Sequence, residues 1–203
     1  MMHLFDNNAK GEMIPDMPDA EVLYYPHFIQ TENTNRYFEQ LLTETPWQQD
    51  DIKVFNKIYA QPRLTALYGD NGKTYTYSGL TMRPKPFTPI LLELKKHIEA
   101  ISGFKFTTCL LNLYRDGSDS NGWHADDEKK LGKNPAIASL SLGSPRMFKF
   151  RRKDDKKDVR KLELTPGSLL LMKGSPQHFW QHQLPKTTRA VGERINLTFR
   201  YIP

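Results

Sequence analysis

The sequence predicts an α+β, mainly β chain: a double-stranded β-helix, or jelly roll, supported by helices near the N-terminus. Two patterns and one size argument carry this. From Phe104 onward, short alternating apolar runs are separated by Gly, Pro, Asn and Asp, as strands joined by turns require. Before that point, two stretches place apolar residues at helical spacing. The 203 residues fit one domain, 1–203.

Taken in order, residues 1–20 are polar and proline-spotted and are expected to form an arm. A short apolar stretch, 21–29, predicts a strand entering a turn. Thr31 then caps a helix over 32–42 that buries Tyr37, Phe38, Leu41 and Leu42 and ends before Pro46. Residues 51–59 read as a hairpin arm with Phe55 at its tip. Gly69-Asp-Asn-Gly72 marks a turn, after which Tyr75 and Tyr77 share one face of a strand. Thr88 and Pro89 open a second helix, with Ile90, Leu91, Leu94, Ile98 and Ile101 on its stripe and Gly103 closing it. His97 lies off that stripe and is expected at the surface. Strands are predicted over 106–114, 136–142, 147–152, 159–164, 168–172 and 195–201, with Pro166-Gly167 turning the chain into the fifth. The charge-dense run 151–161 reads as a solvated hairpin tip.

Lys and Arg number 29 against 23 Asp and Glu, a net charge of +6 that suits a polyanionic partner. Cys109 is the sole cysteine, which excludes an internal disulfide and fits a reducing compartment. No run reaches the ~18 apolar residues that span a bilayer, and the N-terminus has no basic-then-apolar leader pattern. The expectation is an intracellular protein off the membrane, cytoplasmic in a bacterium and nuclear in a eukaryote. Nothing in the sequence predicts an oligomer, so a monomer is expected.

The chemistry concentrates in Asn112 to Glu128. A strand ends there in a glycine-marked loop carrying His124 and Asp126, whose i, i+2 spacing can aim an imidazole and a carboxylate at one point. A distant histidine from Gln177-His178-Phe-Trp-Gln-His182 would complete a two-His, one-carboxylate facial triad, which leaves positions open for oxygen and a co-substrate. Asn112 and Tyr114 stand just upstream. Arg194 and Arg200 project from one face of the last strand, where a buried guanidinium calls for an anion such as a dicarboxylate.

The run Asn-x-Tyr-x-Asp-Gly-x-Asp…His-x-Asp-Asp-Glu, the segment His-Phe-Trp-Gln-His-x-Leu-Pro and the closing Arg-Ile-Asn-Leu-Thr-Phe-Arg resemble the AlkB family of 2-oxoglutarate- and iron-dependent nucleic-acid dioxygenases. The likeness runs from about Val54 to Arg200 and is greatest to members that repair duplex DNA. It implies Fe(II) on His124, Asp126 and His182, the motif placing the last ligand just before Leu-Pro and so preferring His182 to His178. It implies that Asn112, Tyr114, Arg194, Thr198 and Arg200 hold 2-oxoglutarate, with O2 as second co-substrate. It makes residues 50–80 a nucleotide-recognition lid, with Phe55, Asn56 and Lys57 on a finger that wedges into the base stack and Arg63 a phosphate contact. Tyr75, Tyr77 and Ser78 would line the base site, Tyr77 standing where the family has Phe, and Asp127 would accept from an exocyclic amino group. Lys186 and Arg189 fall in a loop that grips the opposite strand in the family.

The implied activity is oxidative demethylation of N-alkylated bases such as 1-methyladenine and 3-methylcytosine in DNA, duplex first and single strand second. A single-stranded DNA or RNA demethylase of the same fold, or a non-catalytic nucleic-acid binder, are the alternatives.

Overall fold

A computed structural model describes all residues except 1–4, 6–9, 55–56, 71, 73–74 and 78–79, and for 52–54, 57, 75–77 and 80–81 it describes the backbone. Phe55, Asn56 and Ser78 therefore lie outside the described residues.

Strands β1 (Glu12–Met13) and β2 (Glu21–Tyr25) precede helix α1 (Thr31–Glu44). The hairpin β3 (Asp51–Val54) and β4 (Lys57–Ala60), strand β5 (Leu64–Gly69) and the hairpin β6 (Tyr75–Tyr77) and β7 (Leu80–Met82) follow. Then come α2 (Pro89–Ser102), β8 (Thr108–Tyr114), β9 (Asn121–His124), β10 (Ile137–Gly143), β11 (Arg146–Arg152), β12 (Val159–Leu164) and β13 (Leu169–Lys173). A four-residue helix, α3 (Pro176–Phe179), leads into β14 (Trp180–Leu184), and β15 (Arg194–Arg200) ends the fold.

Two antiparallel sheets face each other. The larger runs β1-β2-β13-β10-β15-β8-β5 and the smaller β12-β11-β14-β9. Alternation along the strands decides what each face meets. In β15, Ile195, Leu197 and Phe199 join Ala138, Leu140 and Leu142 of β10 in a core that also holds Tyr37 and Leu41 of α1 and Leu91, Leu94 and Ile98 of α2. The opposite face of the large sheet meets the small one through Leu110, Leu170, Met172, Phe150, Leu164 and Trp180. The helices thus back one face, and the small sheet covers the other. This is the jelly-roll arrangement expected of a chain rich in short strands.

The sequence-derived elements recur with bounds moved by one or two residues. Helix α1 begins at Thr31, with Gln30 in the extended N-cap position, so Thr31 sits inside the first turn. Helix α2 starts with Pro89 and is closed by Gly103, whose φ of 75° is the left-handed conformation glycine tolerates. His97 departs from expectation: its ring stacks on Phe5 at 3.7 Å, and burial lowers its pKa. Strands β9 and β14 are additional to the strands the sequence pattern predicts, β9 falling within the predicted loop. Residues 10–20 lie along the sandwich, where Met17 is buried and the Trp180 indole N–H donates to the Pro18 carbonyl at 2.9 Å.

Leu94 is fully buried between α2 and the large sheet, on the side away from the polar inner face. Truncation to alanine should cost about 2–5 kcal/mol of unfolding free energy. Urea denaturation reads this directly, and metal affinity at low temperature should be unchanged.

Candidate metal centre and its anion pocket

Polar residues interrupt the apolar packing between the two sheets at one place. On β15, Arg194, Asn196, Thr198 and Arg200 face inward; Asn112 and Tyr114 flank them from β8, and Ser139 and Ser141 from β10. The small sheet brings His182 on β14 directly opposite His124 on β9. Asp126 follows two residues later and is almost wholly buried.

Ligand atoms of His124, Asp126 and His182 all lie within 4.8 Å of one another, with His182 Nε2 3.8 Å from Asp126 Oδ2. A donor set of two imidazoles and one carboxylate suits a divalent iron centre with open positions. Each ligand is held by further groups, as metal sites require. His124 Nδ1 lies 2.7 Å from the Gly122 carbonyl, so Nδ1 carries the proton that donates there and Nε2 keeps a lone pair for a metal. Asp126 Oδ1 accepts from Arg200 Nη2 at 2.7 Å, and the Asp126 N–H donates to Gln177 Oε1 at 2.8 Å. The His182 ring stacks on Phe148 at 5.5 Å and meets Phe150 edge-on at 6.4 Å.

The protonation states also match a metal site, which needs ionised carboxylate and neutral imidazole. Burial opposes ionisation of Asp126, but Arg200 and the two histidines prevail and hold its carboxyl at about 2. Burial and the neighbouring His124 push His182 down to about 3, and burial lowers His124 as well.

Arg194 supplies the anion test. Its guanidinium is buried, lines the same cavity as the triad, and lies with its central carbon 5.4 Å from the Tyr114 ring centre. Nη2 donates to Ser141 Oγ at 2.9 Å, while Nε is buried with no hydrogen-bond partner. Among the described residues no carboxylate lies within ion-pair distance of it. Burial lowers its pKa to about 10, still well above neutrality, so a buried cation faces the cavity with a donor unused. A carboxylate of a dicarboxylic acid would satisfy that donor by a charge-assisted bond.

The structure moves other expected residues. Arg63 is not a solvated phosphate contact: it is buried in the cavity wall, donating through Nε to Asn112 Oδ1 at 2.8 Å and through Nη1 to the Ser120 carbonyl at 3.2 Å. That bond occupies the Asn112 oxygen and leaves its amide N–H groups for the cavity. Thr198 donates to Asn196 Oδ1 at 2.9 Å, and Asn196 donates to Ser139 Oγ at 2.7 Å. His178 is exposed and bonds Asn134 at 2.8 Å, away from the triad. Asp127 is exposed and ion-paired to Lys153 at 3.0 Å, and Lys153 also donates to the Gln177 carbonyl at 2.8 Å. Lys57 lies on β4 and Tyr75 and Tyr77 on β6, where the backbone alone is described. The sequence reading missed Asn196, Gln177, Arg146 and Phe148. Asn196 was findable, since it shares the even spacing of Arg194, Thr198 and Arg200.

The profile of the 2OG-Fe(II) oxygenase superfamily matches residues 21–200. The alpha-ketoglutarate-dependent dioxygenase alkB homolog 3 of Bos taurus is 44% identical over 197 residues, covering 90% of this chain and 66% of its own length. The DNA oxidative demethylase ALKBH2 of Homo sapiens is 42% identical over 158 residues, covering 74% of this chain and 60% of its own. The chain thus spans less than two thirds of the length of these relatives. The solved OsALKBH1 structure superposes with a TM-score of 0.61 over 94% of this chain and 100% of that one, at 17% identity, a likeness of fold.

Replacing Gln177 with leucine should weaken binding of Co(II) or Mn(II) about 10–100-fold, because the Asp126 backbone loses its anchor; His178→Ala should leave calorimetric binding unchanged. The metal-free protein should also lose stability as pH falls. His182 and Asp126 both take up protons less readily folded than unfolded, so the unfolded chain binds the extra protons and the loss begins near the ordinary histidine value of 6.5. The urea midpoint should be lower at pH ~5 than at pH ~7.5, and His182→Asn should shrink the difference.

Proposed function

The chain belongs to the 2OG-Fe(II) oxygenase superfamily, and from that premise we propose that it is a 2-oxoglutarate-, Fe(II)- and O2-dependent demethylase of N-alkylated bases in nucleic acid, with duplex DNA as its main substrate. One observation carries the reading: a His-Asp-His cluster and a buried arginine with an unused donor line the same cavity. The similarity to alkB homolog 3 and ALKBH2 enzymes supports the substrate class.

The bound iron, with 2-oxoglutarate and O2, would supply the oxidising chemistry that hydroxylates an N-methyl carbon, which then leaves as formaldehyde. The chain's own residues do the rest. His124, Asp126 and His182 hold the metal from one side. Arg194 takes one carboxylate of 2-oxoglutarate, with Tyr114, Asn112 and Thr198 beside it in the cavity wall. Arg200 stands at the metal end, where its bond to Asp126 keeps that carboxylate ionised and oriented. Arg63 fixes the Asn112 amide. Leu110, Phe148, Met172 and Leu184 line the remainder of the cavity.

The base would enter from the side of His124. Asp127 accepts a hydrogen bond from its exocyclic amino group, and Lys153 holds that carboxylate in place. Tyr75, Tyr77 and Ser78 would line the base site, as the resemblance implies, the two tyrosines supplying aromatic rings for stacking. Residues 50–80 would form the lid over the base; within them β3 and β4 pair antiparallel up to Val54↔Lys57. As an apolar wedge Phe55 would fill the gap left by an extruded nucleotide, offsetting part of an unstacking cost of a few kcal/mol.

Iron-loaded protein should release succinate and formaldehyde on oligonucleotides carrying 1-methyladenine, and Asp126→Ala should abolish both. Arg194→Met should raise the 2-oxoglutarate KM at least tenfold. Phe55→Ala should lower duplex turnover far more than single-strand turnover; equal losses would remove the finger and favour single-stranded DNA or RNA as substrate.

A further inference from the structure

A second buried cation stands behind the anion end of the cavity. Strand β11 turns Arg146, Phe148 and Phe150 toward the sandwich interior and Met147 and Lys149 outward. Arg146 is 3% exposed, yet it lies outside the cavity that Arg194 and Tyr114 line. Its guanidinium carbon is 5.9 Å from the Tyr114 ring centre, and that of Arg194 is 5.4 Å from the same centre. Tyr114 and Arg194 are themselves direct cross-strand partners on β8 and β15. One tyrosine ring is thus flanked by two buried guanidinium groups.

Among the described residues, neither arginine has a carboxylate within ion-pair distance. The Asp119 carboxylate is spent on Arg115, accepting from its Nε at 2.8 Å, its Nη2 at 2.9 Å and its backbone N–H at 2.9 Å. Burial lowers the pKa of both Arg146 and Arg194, and the charge of Arg146 lowers that of Arg194 further.

Arg146 gives its donors to three main-chain carbonyls: Nη1 to Asp116 at 3.0 Å, and Nη2 to Asp119 at 3.0 Å and Pro185 at 2.9 Å. Asp116 and Asp119 belong to the loop that leaves β8 immediately after Tyr114, and Pro185 follows the last residue of β14. That loop is held further where Thr187 N–H donates to the Gly117 carbonyl at 2.9 Å and Ser118 N–H to Asp116 Oδ1 at 2.8 Å. A planar guanidinium can reach several acceptors at once, whereas a lysine ammonium is a point charge on a flexible stem. Pinning carbonyls needs donors but no net charge. A full charge buried beside Arg194 without a carboxylate is costly, and an anion in the neighbouring cavity would offset that cost.

We propose that Arg146 is a positioning residue for 2-oxoglutarate: from behind the cavity wall it holds Tyr114 and the loop after it, and adds its charge to that of Arg194. The wall then meets the carboxylate taken by Arg194 at a fixed distance. A wall fixed in this way measures the length of the acid, since one extra methylene in a rigid pocket is rejected about 10–200-fold. The proposal rests on the co-substrate reading above.

The test uses Mn(II)-loaded wild type, Arg146→Met and Arg146→Lys, with calorimetric titration of 2-oxoglutarate and of 2-oxoadipate, which is longer by a methylene. The methionine variant should bind 2-oxoglutarate about tenfold more weakly or worse, as displaced supporting groups typically cost. The lysine variant, which keeps the charge and loses the fork, should fall between. Preference for 2-oxoglutarate over 2-oxoadipate should narrow in both, with Mn(II) affinity unchanged. In turnover by the iron-loaded protein, the 2-oxoglutarate KM should rise while kcat at saturating co-substrate holds. Equal 2-oxoglutarate affinity in all three proteins would overturn the proposal. So would variants that lose Mn(II) and 2-oxoglutarate in parallel, because Arg146 would then only hold the fold together. A wild type that binds Mn(II) but no 2-oxoglutarate would sink the co-substrate reading and this inference with it. If wild type binds 2-oxoglutarate but turns over no methylated oligonucleotide, the substrate reading alone fails, and the affinity comparison still decides the role of Arg146.

Discussion

The pair between Arg200 and Asp126 is the contact on which the site depends. Its 2.7 Å bond joins two almost wholly buried charges, one on the large sheet and one on the loop that leaves the small sheet. Removing one partner of such a pair typically costs about 3–5 kcal/mol, because the other is left as an uncompensated buried charge. The bond therefore does more than orient a carboxylate: it fixes the spacing between the two layers where they would otherwise be joined by polar groups alone. Asp126 divides its oxygens, Oδ1 to Arg200 and Oδ2 toward His182, and its backbone N–H goes to Gln177. One residue thus connects the sheet, the triad and the segment leading into β14.

Burying so many polar groups between two sheets is costly unless each finds a partner. Here several do. Thr198 bonds Asn196, Asn196 bonds Ser139, Arg194 bonds Ser141, and Arg63 bonds Asn112. Arg194 Nε is a buried donor without a hydrogen-bond partner, and an anion in the cavity would satisfy it. The opposite face of the same strands is apolar throughout, with Ile195, Leu197 and Phe199 fully buried against the helix-side core. Stability is concentrated on the helix side and chemistry on the inner side, a separation that the two-residue period of a strand makes possible.

Local pattern made much of this legible and long-range pairing hid the rest. Helix α2 was readable from Pro89, its stripe and Gly103, because all three signals are local. The strands with apolar faces were readable for the same reason. Strands β9 and β14 were not: in Asn-Gly-Trp-His and Trp-Gln-His-Gln-Leu the inward positions carry histidines, so their alternation does not look apolar. His124, Asp126 and His182 were nameable from the His-x-Asp spacing and the resemblance together, whereas Arg63 was misread. Its partner Asn112 lies 49 residues away, and nothing near Gln61-Pro-Arg63 announces a buried guanidinium. His97 misled similarly, since Phe5, which covers it, is distant in sequence.

Register links the two surfaces that β11 serves. Phe150 is paired with His182, and His182 with His124, so one row across three strands holds an aromatic support and two triad imidazoles. The adjacent row pairs Lys161 with Lys149 and Lys149 with Gln183, facing outward. Because side chains alternate every residue, a slip of one position in β11 would exchange these rows. A lysine would then be pressed against His182, and the aromatic support would be turned to solvent. The apolar cost of exposing Phe148 and Phe150 protects the register, and the same register aligns the outer cations. The position of the cationic row is thus a consequence of the packing that holds the metal ligands, and neither can be shifted by a residue without losing the other.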